Sequence, residues 1–166
     1  MSDVYLSIGS NKGDRFSNIK LSISLLIDNP KIEIIKKSKV YETYPMYNLN
    51  QSYFLNMVLK IKTKLNPYKL LDLLKKIEAQ IGRVESSSKR NQPRLIDLDI
   101  LSYDSITIIA DKLVIPHPRA HERVFVLKPW TDIDPQFKLC NMHESISELL
   151  LNLTVTPEVI KYYKEI

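Results

Sequence analysis

The apolar positions of this chain change period several times, and each change predicts an element. Val4-Tyr5-Leu6-Ser7-Ile8 is a largely apolar run of strand length, closed by the turn formers of Gly9-Ser10-Asn11-Lys12-Gly13. Phe16, Ile19, Ile23, Leu26 and Ile27 then recur at helical spacing, with Asp14 as N-cap and an end before Asn29-Pro30. Ile32 to Val40 reads as a second strand and Tyr53 to Thr63 as a third, in which Leu55, Met57, Leu59 and Ile61 share one face. Asn66-Pro67 supplies N-cap and first position for a second helix, with Leu70, Leu71, Leu74, Ile77 and Ile81 as its buried stripe and Gly82 as its stop. The run from Leu95 to Leu101 is the next strand, and a short one follows near Ile106 to Ile109. His143 to Leu151 predicts a further helix, and Thr156-Pro157-Glu158 has the form of a cap for a last one.

The order strand, helix, strand, strand, helix, strand predicts an α+β, ferredoxin-like sandwich, an antiparallel sheet with helices on its faces. That architecture hosts many functions and decides none. Two polar stretches without a period interrupt it, Tyr41 to Ser52 and Arg83 to Pro93. Both exceed what a hairpin needs, and loops of that length are usually functional.

At 166 residues, 44% of them hydrophobic, the chain suits one domain, with the stretch from about 136 to 166 as a C-terminal extension. No run approaches a membrane span, and the first apolar stretch is too short for a signal peptide, so no membrane partner and a cytoplasmic location are expected. Cys140 is the sole cysteine, which excludes an internal disulfide and a cysteine zinc site. The net charge of +5 is carried by scattered lysines without the aromatic-basic strands of RNA-recognition modules, so no nucleic-acid partner is expected. An anionic small substrate accounts equally well for a local cluster of arginines.

The candidate chemistry lies in Asp97 and Asp99, one residue apart within an apolar strand and directly behind Lys89-Arg90-Asn91-Gln92-Pro93-Arg94. Alternation turns both carboxylates to one side and Ile96, Leu98 and Ile100 to the other. Two like charges on such a strand repel and lose hydration unless a cation serves them, and Mg²⁺ takes few carboxylate oxygens, leaving positions for water and phosphate. Acids on the wet side of a strand are also common with no such role. The neighbourhood shifts the balance: Arg90, Arg94 and the segment from Pro116 to Arg123 add cations, and carboxylates plus cations suit phosphoryl transfer. His117 and His121, four apart, could form a zinc pair, but Pro118 and the lack of nearby cysteines argue against a full ligand set.

Ile8-Gly9-Ser10-Asn11, Tyr41-Glu42-Thr43, Phe54-Leu55-Asn56, Gly82-Arg83, Pro93-Arg94-x-x-Asp97-Leu98-Asp99 and Pro116-His117-Pro118-Arg119 follow one another in order. In these motifs the chain resembles the 6-hydroxymethyl-7,8-dihydropterin pyrophosphokinases from about Val4 to about Pro135. The resemblance implies transfer of the β,γ-pyrophosphoryl group of ATP, the co-substrate, to 6-hydroxymethyl-7,8-dihydropterin with two Mg²⁺. The products would be AMP and the diphosphate ester, on the way to folate, and a monomer is expected rather than a homodimer.

The same resemblance implies the site. Asp97 and Asp99 would bind both metals and, with Arg83 and Arg94, form the catalytic set. Glu78, Arg83, Arg94, Ile100, Lys112, His117 and Arg123 would meet the nucleotide. Thr43, Pro45, Met46, Asn56 and Asp97 would meet the pterin, with Phe54 and Phe125 as a ring sandwich. A flat, hydrogen-bonding heterocycle is well served by two aromatic faces and an amide that both donates and accepts. The chain departs from the common family pattern at Asn91, Gln92 and Leu95, at Glu85, and at Tyr44 and Tyr47. Taken singly, Phe54 and Phe125 read as core, Asn56 as a wet strand position and Arg83 as a loop charge. Two rival classes remain: a ferredoxin-like nucleic-acid binder, against which the paired aspartates argue, and an Mg²⁺-dependent transferase with another acceptor.

Overall fold

The first strand, β1 (Ser2–Ser10), lies between two others because both of its faces carry apolar side chains. It pairs antiparallel with β4 (Phe54–Thr63) on one side and β5 (Asp97–Tyr103) on the other. The computed structural model describes residues 1–44, 52–82, 93–153, 161–164 and 166. Within them the order of the six-stranded sheet is β5-β1-β4-β3-β8, and β2 also pairs with β4. β2 is Ile32–Lys37, β3 Val40–Thr43 and β8 Lys161–Lys164.

Helix α1 (Arg15–Ile27) begins at Asp14, whose carboxylate accepts from the Ser17 amide at 3.0 Å. Helix α2 (Pro67–Gln80) begins at Asn66, whose side chain accepts from the Lys69 amide at 2.9 Å, and Gly82, at φ 98°, takes the left-handed turn past its end. Both helices bury their stripes with Val4, Leu6, Ile8, Leu98 and Ile100 in one apolar cluster. Alternation sends Tyr5, Val58 and Leu101 to the other face, where α3 (Val124–Thr131) and α4 (Ile146–Asn152) cover them with Leu127, Trp130 and Ile146. A hairpin of β6 (Ile108–Ala110) and β7 (Leu113–Ile115) and one 3₁₀ turn, Ala120–Glu122, complete the described elements.

The α+β ferredoxin-like order holds, and four details differ from expectation. The predicted strand from Ile32 to Val40 is two, because Ser38 intervenes: its hydroxyl accepts from the Val58 amide at 2.9 Å, taking a ladder position. Ile106 belongs to a turn with its amide on the Tyr103 carbonyl at 3.2 Å, so the following strand starts at Ile108. The apolar pattern assigned no element to the segment that forms helix α3, which accommodates Pro129 because it stands near the end of this short helix, where few hydrogen bonds are lost. The cap expected at Thr156-Pro157-Glu158 lies outside the described residues, and residues 161–164 form a strand rather than a helix. β8 pairs with the otherwise open edge of β3, matching Tyr41 with Tyr162 and Glu42 with Lys161.

Candidate active site

Residues on the α3 face of the sheet converge at one end of β1. Gly9 stands opposite Asp97 of β5 on one side and opposite Asn56 of β4 on the other. Asp99 faces Ser7 one row along. Two strand spacings therefore separate the carboxylate from the amide, about 10 Å between main chains. Gly9 is the reason nothing stands between them: a Cβ there would lie 2.9 Å from Asn56 Oδ1. On the next strand Thr43 and Phe54 are partners, and buried Asn56 donates through Nδ2 to Thr43 Oγ1 at 2.7 Å, which fixes the rotation of its amide.

The two carboxylates have opposite surroundings. Arg94 donates through a guanidinium nitrogen to Asp97 Oδ2 at 2.6 Å. Burial, and then the charge of Asp97, push the Asp99 carboxyl up to about 7, with Lys75 opposing the rise. A half-neutralised pair of acids on one face is a donor set short of positive charge, which fits a divalent cation held mainly by water and phosphate oxygens. Among the described residues no group of three or more histidine, cysteine, aspartate or glutamate side chains could hold a metal, so any such ion relies on these two and on its other ligands.

Glu78 of α2 comes from beneath. It is 2% exposed, its Oε1 accepts from the Leu98 amide at 2.7 Å, and its Oε2 accepts from Lys75 Nζ at 2.9 Å. The amide it takes lies between the two aspartates, on the edge of β5 turned away from β1. Ile100 sends its side chain into the α1/α2 cluster, so only its main chain can meet a ligand. Lys112 is exposed on the turn between β6 and β7.

The segment after β7 closes the other side. The His117 amide donates to the Leu101 carbonyl at 2.9 Å, and His117 Nδ1 accepts from the Arg119 amide at 3.1 Å. Burial, reinforced by Arg123, depresses its imidazole to about 4. His117 is thus neutral near pH 7 with its proton on Nε2, a donor toward an anion. The Arg123 guanidinium lies 5.5 Å over the Phe125 ring. Its Nε is buried with no acceptor among the described residues, an orphan donor of the kind that an anionic ligand satisfies. Phe54 and Phe125 are both half-buried on this face.

Of the residues predicted from sequence, Thr43, Phe54, Asn56, Arg94, Asp97, Asp99, His117, Arg123 and Phe125 sit on this side of the sheet, and Glu78 supports it from behind. Pro45, Met46 and Arg83 lie outside the described residues. Sequence reading assigned no role to Asn11, although it named the turn. Its amide donates to the Arg94 carbonyl at 3.1 Å and its Oδ1 accepts from the Arg94 amide at 2.8 Å.

A model of the 7,8-dihydro-6-hydroxymethylpterin-pyrophosphokinase (HPPK) family matches residues 5–135. The chain belongs to this family. An HPPK relative from Bacillus subtilis, a 2-amino-4-hydroxy-6-hydroxymethyldihydropteridine pyrophosphokinase, is 42% identical over 132 residues, covering 80% of this chain and 78% of the relative. A relative of the same name from Methylorubrum extorquens is 36% identical over 153 residues, 92% of this chain and 94% of its own length. The folic acid synthesis protein FOL1 of Dictyostelium discoideum is 43% identical over 150 residues, which are 90% of this chain and only 22% of that longer protein. A solved HPPK-DHPS structure in complex with substrates superposes with a TM-score of 0.74 at 17% identity, over 90% of this chain and 43% of the other. That likeness establishes the HPPK fold. The chain thus spans less than half the length of the FOL1 and HPPK-DHPS proteins.

Proposed function

We propose that the chain transfers the pyrophosphoryl group of ATP to 6-hydroxymethyl-7,8-dihydropterin, giving AMP and the pterin diphosphate for folate synthesis. The hydroxymethyl oxygen forms a bond to the β-phosphorus, the bond from that phosphorus to the oxygen shared with the α-phosphate breaks, and one proton leaves the hydroxyl. The observation that carries the reading is the row Asp97, Gly9, Asn56. It combines an anionic metal-type site and a heterocycle-reading amide on one face, with a clear step between them.

Asn56, held by Thr43, reads the amide edge of the pterin, and Phe54 and Phe125 stack on its ring. Pro45 and Met46 are assigned to the same substrate. Asp97 and Asp99 would hold two Mg²⁺, which when bound would neutralise phosphate charge and supply Lewis acidity. Arg94, which pairs with Asp97, would bind a phosphate oxygen, and Arg83 would join it. His117 donates through Nε2 and Arg123 through its orphan Nε to the polyphosphate, where charge accumulates as AMP departs. Lys112 and the main chain of Ile100 are assigned to the nucleotide. Glu78 acts on the same site through Leu98, holding the strand that carries both aspartates. Preorganised donors of this kind, with no covalent intermediate, suit phosphoryl transfer.

The test is incubation of the purified chain with Mg²⁺, ATP and the pterin alcohol, followed by chromatography of the nucleotides. Pterin-dependent AMP is the expected product. ADP instead would make the chain an ordinary kinase, and no turnover by folded protein would overturn the assignment.

A further inference from the structure

Arg15 is the first residue of α1, where a cation is unfavourable against the helix dipole. Its side chain does not serve the helix. The same guanidinium nitrogen donates to Glu42 Oε1 at 2.8 Å and to the Tyr53 carbonyl at 2.7 Å. Glu42 lies in β3 and Tyr53 immediately precedes β4, so one side chain grips both stems of the connection between them. Those stems carry Thr43 and Phe54, and Asn56 follows two residues on. The rings of Tyr44 and Tyr53, 4.3 Å apart, close the same stems from each other's side.

The pairing of β3 with β4 already joins the stems to each other. Arg15 adds an attachment of that pair to the turn after β1. The same turn is fastened at Asn11 to the main chain of Arg94, three residues before Asp97. Residues 11 to 15 thus run from the metal and phosphate half of the site to the pterin half, bonded to each. The residue after Arg15 adds a contact: Phe16 packs its ring 5.7 Å from Tyr163 of β8, the strand that covers the outer edge of β3.

We propose that Arg15 is a positioning residue that sets the pterin-reading half of the site, Thr43, Phe54 and Asn56, against the half that holds the phosphates. Its substrate readout rests on the pyrophosphokinase assignment, and its geometry does not. A plain surface ion pair between Arg15 and Glu42 would contribute little and would touch neither substrate. The bond to the Tyr53 carbonyl separates the two cases, because it holds main chain at the start of β4.

Arg15→Gln, Glu42→Gln and the double variant of the full chain test it, with kcat, both KM values, melting temperature and hydrogen exchange measured on each. Arg15→Gln is expected to raise the KM for the pterin about fivefold or more while the KM for ATP stays within about twofold. The double variant should match Arg15→Gln, since the Glu42 change removes only a contact that the loss of Arg15 has already broken, and Arg15→Lys should recover part of the loss. Exchange in residues 40–44 and 52–56 should quicken. An unchanged pterin KM, or an equal rise in both KM values, overturns the proposal. If the parent chain makes no pterin-dependent AMP, the pyrophosphokinase assignment fails by itself. Exchange then decides the clamp, and unchanged exchange in Arg15→Gln overturns it.

Discussion

Asp97 and Asn56 lie on different strands and face the same residue, Gly9, from opposite sides. A carboxylate and an amide, the groups proposed to hold the cations and to read the pterin, are thereby held at a fixed separation, with only hydrogen atoms on the Gly9 Cα between them. In-line transfer between two substrates requires such a fixed separation, because small displacements of reacting atoms cost large factors in rate.

Gly9→Ala puts a methyl group 2.9 Å from Asn56 Oδ1 and must turn the amide or shift a strand. Pterin affinity, read by fluorescence titration, is expected to fall by about tenfold, on the scale of a lost or misdirected hydrogen bond. Binding of an ATP analogue should change far less. Equal affinities for the pterin in parent and variant would show that the amide does not read it.

Asp97→Ala and Asp99→Ala should each leave a folded chain whose turnover falls by about 10³-fold or more. The Asp99 carboxyl lies near 7 in the folded chain against 3.8 for the free group, so the folded state binds more protons between those values. Its contribution is full below about 3.8 and is lost as pH rises toward about 7. Mg²⁺ bound as proposed would compete with that proton. The rise in melting temperature produced by saturating Mg²⁺ should be larger at pH 8 than at pH 5.5, and Asp99→Ala should abolish the difference.

His117 shifts the other way, from 6.5 to about 4, so the unfolded chain binds the extra proton. Its contribution is present above about 6.5 and is lost as pH falls toward about 4. The two groups oppose each other over much of the acid range, and a melting curve alone does not separate them. Nuclear magnetic resonance of the His117 ring should find it neutral at pH 6, with the proton on Nε2. A charged ring at that pH would remove it as a neutral donor.

Glu78→Ala strips the Leu98 amide of its acceptor in a buried position and should destabilise the fold by about 1–3 kcal/mol. Glu78→Gln keeps an oxygen for that amide but weakens the pairing with Lys75, so its loss should be smaller. Chemical denaturation distinguishes them. Equal stability of both variants and parent would mean that the edge of β5 needs no carboxylate.

The features legible in the sequence are those set by neighbours along the chain. Asp14 and Asn66 cap α1 and α2 where the side chain alone predicts a cap, and Gly82 stops the second helix with the positive φ that favours glycine. Asp97 and Asp99 share a face because a strand has a period of two, whatever its partners are. The family motifs add their order, and the match over residues 5–135 agrees with it.

Other features depend on what lies across space. Ser38 divides a strand only because the Val58 amide comes within reach of its hydroxyl, and residues 161–164 become a strand because the edge of β3 accepts them. Glu78 carries no sign in sequence that its partner is Leu98, twenty positions away. Arg15 reads as a helix-end charge until Glu42 and Tyr53 meet it. By itself, then, the sequence determined the helix ends, the alternation of the aspartate strand and the order of the motifs, all governed by dihedral preference and local hydrogen bonding. Only the tertiary structure decided which strands became neighbours across β1, and with that the distance between Asp97 and Asn56, because strand pairing is a long-range choice among many backbone edges.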